Sequence, residues 1–143
     1  MILIVDDHRD VGEVLCKVLH KLGYPCQLTC SGPDALAAIR SHPNEQPLLV
    51  VMDEMMPNMS GIEVLRAIRE DPKISGTPVI FYSAGFDIAK RDEAMTLGAA
   101  AWLLKGGDYQ KTLETITSWY ERIGGVGRDN EPDRTQKNKS RDG

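Results

Sequence analysis

No run of apolar residues in this chain approaches the roughly 18 needed to cross a bilayer, which excludes a transmembrane helix. The opening residues, MILIVDD, lack the basic head and long apolar centre of a secretory signal. They read instead as a strand beginning almost at residue 1, and the expected location is cytoplasmic. Positive charge is not in excess. Seventeen Lys and Arg against 21 Asp and Glu leave a net charge of −4, which argues against a nucleic-acid surface. Cysteine is scarce: Cys16, Cys26 and Cys30 include no CxxC pair, and His8, His20 and His42 are scattered, so the usual spacing of a zinc site is missing. The thiols are expected reduced and partly buried, with Cys26 and Cys30 facing the same way along a strand. No glycine-rich loop follows the first strand candidate, which excludes nucleotide or flavin binding of the phosphate-loop kind.

What the chain does have is alternation. Its 143 residues allow one domain and a modest tail, and 41% hydrophobic against 27% charged residues suffices for a real core. Short apolar runs at Ile2–Asp6, Cys26–Cys30, Leu48–Asp53, Pro78–Ser83 and Ala100–Leu104 predict five strands. Between them stand stripes of helical period: Val11, Val14, Leu15, Val18, Leu19 and Leu22; Ala35, Leu36 and Ile39; Ile62, Leu65 and Ile68; and Tyr109, Leu113, Ile116, Tyr120 and Ile123, with Asp108 as N-cap. A fifth helix falls within Phe86–Leu97, where the apolar positions are irregular. Five strands alternating with five helices imply an α/β fold, a doubly wound parallel sheet with helices on both faces. The second strand alternates and carries Pro25, which suits a sheet edge and matches the flavodoxin-like order 2-1-3-4-5. The folded domain is expected over 1–123. Residues 124–143 have no apolar periodicity and predict a disordered polar tail without a second domain.

In such a sheet, ligands sit beyond the carboxyl ends of the strands, where strand order reverses. Asp6 and Asp7 end the first strand and Asp53 the third, Ser83 closes the fourth, and Lys105 follows the fifth. Three close carboxylates repel one another. Lys105 offsets one charge and a divalent cation the other two, and oxygen ligands favour a hard ion such as Mg2+. Met55, Met56 and Met59 read as packing and loop residues, because thioethers do not suit such an ion. His8 reads as a helix-start residue beside the cleft.

At these residues the chain resembles the response-regulator receiver family, from Ile2 to about Ile123. The resemblance is carried by the acidic pair in IVDDH, the block MDEMMPNMSG, the pair Ser83-Ala84 and the lysine in AAWLLKG. It implies a single-domain response regulator of two-component signalling. Asp53 would take a phosphoryl group from a histidine kinase or histidine phosphotransfer protein and switch a surface that binds a downstream protein. Asp7, Asp53 and the backbone carbonyl of Met55 would hold Mg2+ (or Mn2+), with Asp6 bound directly or through water. Lys105 would neutralise charge on the phosphoryl oxygens, Ser83 would bond one of them, and Ala84 would leave room for the group. The chain would be a phosphoacceptor that assists its own phosphorylation and dephosphorylation, not an enzyme with turnover. It would be a monomer or weak dimer, with no nucleic acid or membrane partner.

Two positions depart from the family pattern. Proline usually follows the active-site lysine, whereas here Gly106 and Gly107 do, so a trans Lys105–Gly106 bond is expected. Trp102 stands where the family has Tyr or Phe that turns inward. It is expected to stay largely outward as a partner anchor, with a half-buried core aromatic as the alternative. Two other functions fit part of the pattern. One is a receiver-like adaptor that binds partners constitutively without phosphorylation. The other, an aspartyl phosphatase, is disfavoured because Glu54-Met55 supplies no second aspartate two residues beyond Asp53.

Overall fold

A computed structural model describes residues 1–127. Its elements alternate strictly: β1 (Ile2–Val5), α1 (Arg9–Lys21), β2 (Cys26–Thr29), α2 (Gly32–Ser41), β3 (Leu49–Met52), α3 (Gly61–Glu70), β4 (Val79–Ser83), α4 (Ile88–Thr96), β5 (Ala101–Leu104) and α5 (Tyr109–Arg122). All strand pairs are parallel, in the order β2-β1-β3-β4-β5. The doubly wound arrangement read from the sequence is therefore the observed one.

Side chains alternate across the sheet and build two cores. Leu3, Val5, Val50, Met52, Val79 and Phe81 face α2 and α3, where Leu36, Ile39, Ile62, Leu65 and Ile68 meet them. Ile2, Ile4, Leu49, Val51, Ile80 and Tyr82 face α1 and α5, where Leu15, Leu19, Leu113, Ile116 and Tyr120 close the other layer. β1, β3 and β4 are buried throughout, as continuous apolar runs require, while β2 at the edge is only half-buried. Pro25 lies just before β2, so it removes no ladder hydrogen bond.

The sequence stripe on α1 is wider than the face that is covered. Leu15 and Leu19 are buried, but Val11, Val14 and Leu22 remain 42%, 57% and 41% exposed. Periodicity marks a helix, but the neighbours decide how much of its circumference is covered. Val11 and Val14 instead flank an apolar hollow shared with Leu15, Tyr82 and Tyr109.

Two further expectations hold, and the end of the packed chain is adjusted. The helix expected within Phe86–Leu97 is α4, capped by the Asp87 carboxylate on the Lys90 N–H, and Ala94 is its one buried residue. The cysteines are free, and Cys26 neighbours Cys16 on α1, so burial and that second thiol raise its pKa. Packed chain also continues past Ile123: Gly125 and Gly127 are buried, with no room for a Cβ against the Tyr120 and Tyr24 rings. The rest of the expected tail lies outside the described residues.

Candidate functional site

The cleft forms where the chain leaving β1 and the chain leaving β3 turn to opposite faces of the sheet. The register pairs Val5 with Met52, so the residues that follow, Asp6 and Asp53, leave the sheet side by side. Backbone bonds hold both in place: Asp53 N–H donates to the Val5 carbonyl at 2.8 Å, and Asp6 N–H to the Thr29 carbonyl at 3.1 Å. From the other side, Lys105 N–H donates to the Ser83 carbonyl at 2.8 Å, which delivers its side chain over the same cleft.

The Lys105 ammonium donates to Asp6 Oδ2 at 2.6 Å and lies 3.5 Å from Asp53 Oδ2. Asp6 Oδ1 accepts from the His8 N–H at 2.9 Å, so both of its oxygens are engaged. Asp53 Oδ1 has one longer bond, from the Met55 N–H at 3.3 Å. Asp53 is only 3% exposed, and its pKa is pushed up to about 6. Burial is the largest cause, opposed by Lys105 and reinforced by Asp6 and Asp7. With three carboxylates and one ammonium, the cleft holds more negative charge than Lys105 alone neutralises.

Asp7 Oδ1 is buried and accepts no hydrogen bond, although His8 Nδ1 lies 3.4 Å away. An orphaned carboxylate oxygen beside Asp6 and Asp53 is what a hard divalent cation would satisfy. Ligand atoms of Asp6, Asp7, His8 and Asp53 all lie within 4.8 Å of one another. The residues present fit such an ion.

The turn after Asp53 is tightly built. Asn58 takes φ +69°, and Gly61 passes so close beneath that a Cβ there would sit 2.4 Å from the Asp53 carbonyl oxygen. The Ser60–Glu63 capping box then starts α3. Met56 packs in the core while Met55 is exposed, consistent with packing and loop roles.

On the opposite wall, Ser83 is buried, yet its Oγ has no hydrogen-bond partner. Ala84 is exposed at the mouth. The outward placement expected for Trp102 is not what is found. The register sets it beside Phe81, and the two rings stack with centroids 5.1 Å apart and planes 17° from parallel. Trp102 is a half-buried core aromatic whose indole N–H is buried without a partner. No peptide bond among the described residues is cis, so Lys105–Gly106 is trans as expected. Gly106 adopts φ +83°, a value closed to proline.

Sequence reasoning missed Glu54. Its carboxylate is buried, accepts from the Ile62 N–H at 3.0 Å and lies 3.2 Å from the Lys90 ammonium on α4. It joins the segment after Asp53 to α4 on the opposite wall. The signal was present only as an acidic residue next to Asp53.

Comparisons with known proteins agree with this geometry. A family model described as "Response regulator receiver domain" matches residues 2–117. A probable transcriptional regulator, ycf27, of Cyanidium caldarium is 32% identical over 122 residues, covering 85% of this chain and 47% of its own. The chain thus spans about half the length of the curated relatives it matches. Among solved structures, the Vibrio cholerae chemotaxis protein CheY4 superposes with a TM-score of 0.72 at 26% identity, over 82% of this chain and 95% of that one. The Thermotoga maritima response regulator protein TrrA, in complex with Mg2+ and BeF, gives 0.68 at 27% identity over 82% and 96%.

Proposed function

Because this chain belongs to the response regulator receiver family, we propose that it is a phosphorylation switch in which Asp53 accepts a phosphoryl group from a phosphohistidine. The donor is a histidine kinase or a histidine phosphotransfer protein, and the output is a changed protein-binding face. The observation that carries this reading is the convergence of Asp6, Asp7 and Asp53 with the Lys105 ammonium in one cleft at the carboxyl end of the sheet. An Asp53 oxygen attacks phosphorus in line, the P–N bond breaks, and the donor imidazole leaves with the electron pair.

Each group in the cleft has a role that follows from its position. Asp7, Asp53 and the Met55 carbonyl would hold Mg2+ or Mn2+, with Asp6 bound directly or through water. When bound, the ion supplies positive charge against the phosphoryl oxygens. Lys105, now shared unevenly between Asp6 and Asp53, is within reach to follow the charge that moves onto the phosphoryl group. Ser83 carries a hydroxyl with nothing to bond, which a phosphoryl oxygen would satisfy. Ala84 presents no bulk at the entrance.

From Ser83 the change would pass to a cavity of about 240 Å3 that it shares with Glu54, Phe86, Lys90 and Trp102. A shift of Ser83 toward Asp53 disturbs that wall, and with it the Glu54–Lys90 pair that ties α4 to the site. We assign the receiver domain to residues 1–123, with Gly125 and Gly127 packing back against it and a polar segment beyond, in a cytoplasmic protein. The described residues contain no helix long and apolar enough to cross a membrane.

Incubation with acetyl phosphate and Mg2+, read on a phosphate-affinity gel, tests the reading. A retarded band is expected for the wild type and none for Asp53→Ala or with chelator present. Beryllofluoride binding should show the same dependence. Partner binding that is indifferent to Asp53, with no retarded band, would establish the constitutive adaptor instead.

A further inference from the structure

Among the carboxylate oxygens of Asp6, Asp7 and Asp53 stands one nitrogen, that of His8. His8 is the N-cap of α1, and its side chain makes no capping hydrogen bond. Its Nδ1 lies 3.4 Å from Asp7 Oδ1 and 3.6 Å from Asp6 Oδ1. Two donors each about 2.1 Å from one ion and adjacent on an octahedron are about 3.0 Å apart. The separation from Asp7, the direct ligand, exceeds that value by about 0.4 Å, and the His8 side chain is 69% exposed, so it can close the gap by a small rotation.

We propose that His8 is a ligand of the cation site and that its imidazole nitrogen turns the site's preference from Mg2+ toward Mn2+. This inference rests on the acceptor-site reading given above. The chemistry of the donor set carries it. Mg2+ takes oxygen donors and gains little from an imidazole, whereas first-row transition ions gain affinity from nitrogen, and Mn2+ combines that gain with tolerance for a carboxylate-rich, six-coordinate site. With Asp7, Asp53, the Met55 carbonyl and His8 as donors, two positions stay open. One serves a phosphoryl oxygen and the other a water molecule, so the nitrogen does not block the reaction. Asp6, whose oxygens are already engaged by Lys105 and the His8 N–H, is left to act through that water.

A competing role for His8 is a cation paired with the carboxylates, which would oppose metal binding. The two roles have opposite signs. If His8 is a ligand, His8→Phe lowers Mn2+ affinity by about tenfold or more and changes Mg2+ affinity by less than about threefold. If it is only a paired cation, the same substitution raises the affinity for both ions. The experiment titrates full-length wild type, His8→Phe and Asp53→Asn with Mn2+ and Mg2+, without any phosphodonor. Pulsed EPR of the Mn2+-loaded protein is recorded in parallel. The expected result is a 14N coupling from a coordinated imidazole in the wild type that disappears in His8→Phe, together with the selective loss of Mn2+ affinity. No imidazole coupling, or equal changes for the two ions, overturns the assignment of His8. Asp53→Asn separates this failure from that of the parent reading: if it weakens both ions, the cation site stands whatever His8 does, and if it weakens neither, both readings fall.

Discussion

Replacing Asp53 with asparagine should make the cation-free protein more stable, although it removes the acceptor. The native carboxyl holds its proton up to about pH 6, whereas in the unfolded chain it releases it near 3.8. Between those values the folded state binds more protons than the unfolded state, so stability falls as pH rises through that window and is flat above it. At about 1.4 kcal/mol per pH unit, the ionised carboxylate costs the fold about 3 kcal/mol at pH 7.5. Asparagine carries no charge and can still accept from the Met55 N–H. It forgoes the weaker attraction to Lys105, which keeps its closer partner, Asp6. The net gain expected is about 1–3 kcal/mol, or about 4 °C in Tm per kcal/mol for a domain of this size. Urea or thermal unfolding in chelator, from pH 3 to 8, reads it directly, with the pH-dependent part of the difference between variant and wild type near zero at the acid end, about a third developed at pH 4.5 and at its full value by about pH 7. Saturating Mg2+ should narrow or reverse the gap, because the wild type offers one more carboxylate to the ion. Parallel curves for the two proteins across that range would refute the claim that burial and the neighbouring carboxylates strain Asp53.

Two further substitutions separate folding from signalling. Ser83→Ala deletes a buried hydroxyl without a partner, so urea unfolding should change by less than about 1 kcal/mol while beryllofluoride binding weakens; a loss above about 2 kcal/mol would mean the hydroxyl is bonded after all. Gly61→Ala forces a methyl to within 2.4 Å of the Asp53 carbonyl and 2.9 Å of Glu54 Cα, both backbone atoms. It should cost about 3 kcal/mol and displace the acceptor, and an unchanged unfolding midpoint would contradict that contact.

The fold was legible because its signals are redundant: continuous apolar strands, periodic helices and the alternation between them all require one architecture. Asp6, Asp53, Ser83 and Lys105 were legible for the same reason, since strand ends in a parallel sheet converge wherever the chain between them goes. Less was readable where the outcome depends on a partner far along the chain. Burial of Glu54 is stabilised by Lys90 and the Ile62 N–H, which no local pattern connects to it. The inward stacking of Trp102 follows from register with Phe81, whereas residue type alone suggested an outward partner anchor. The over-wide stripe on α1 shows the same limit, because periodicity carries no information about which neighbours arrive.

Helix α4 is fastened more thinly than its neighbours. One buried alanine, the Lys90–Glu54 pair and the Arg66–Glu93 pair anchor it, while Phe86, Ile88 and Met95 project into solvent on or beside it. Most of its positions can be rewritten without touching either core or the acceptor. Substitution at those positions along α4 therefore leaves the carboxylate cleft and both cores as they are. If α4 is where a partner reads the proposed switch, its specificity can change without any change at the cleft.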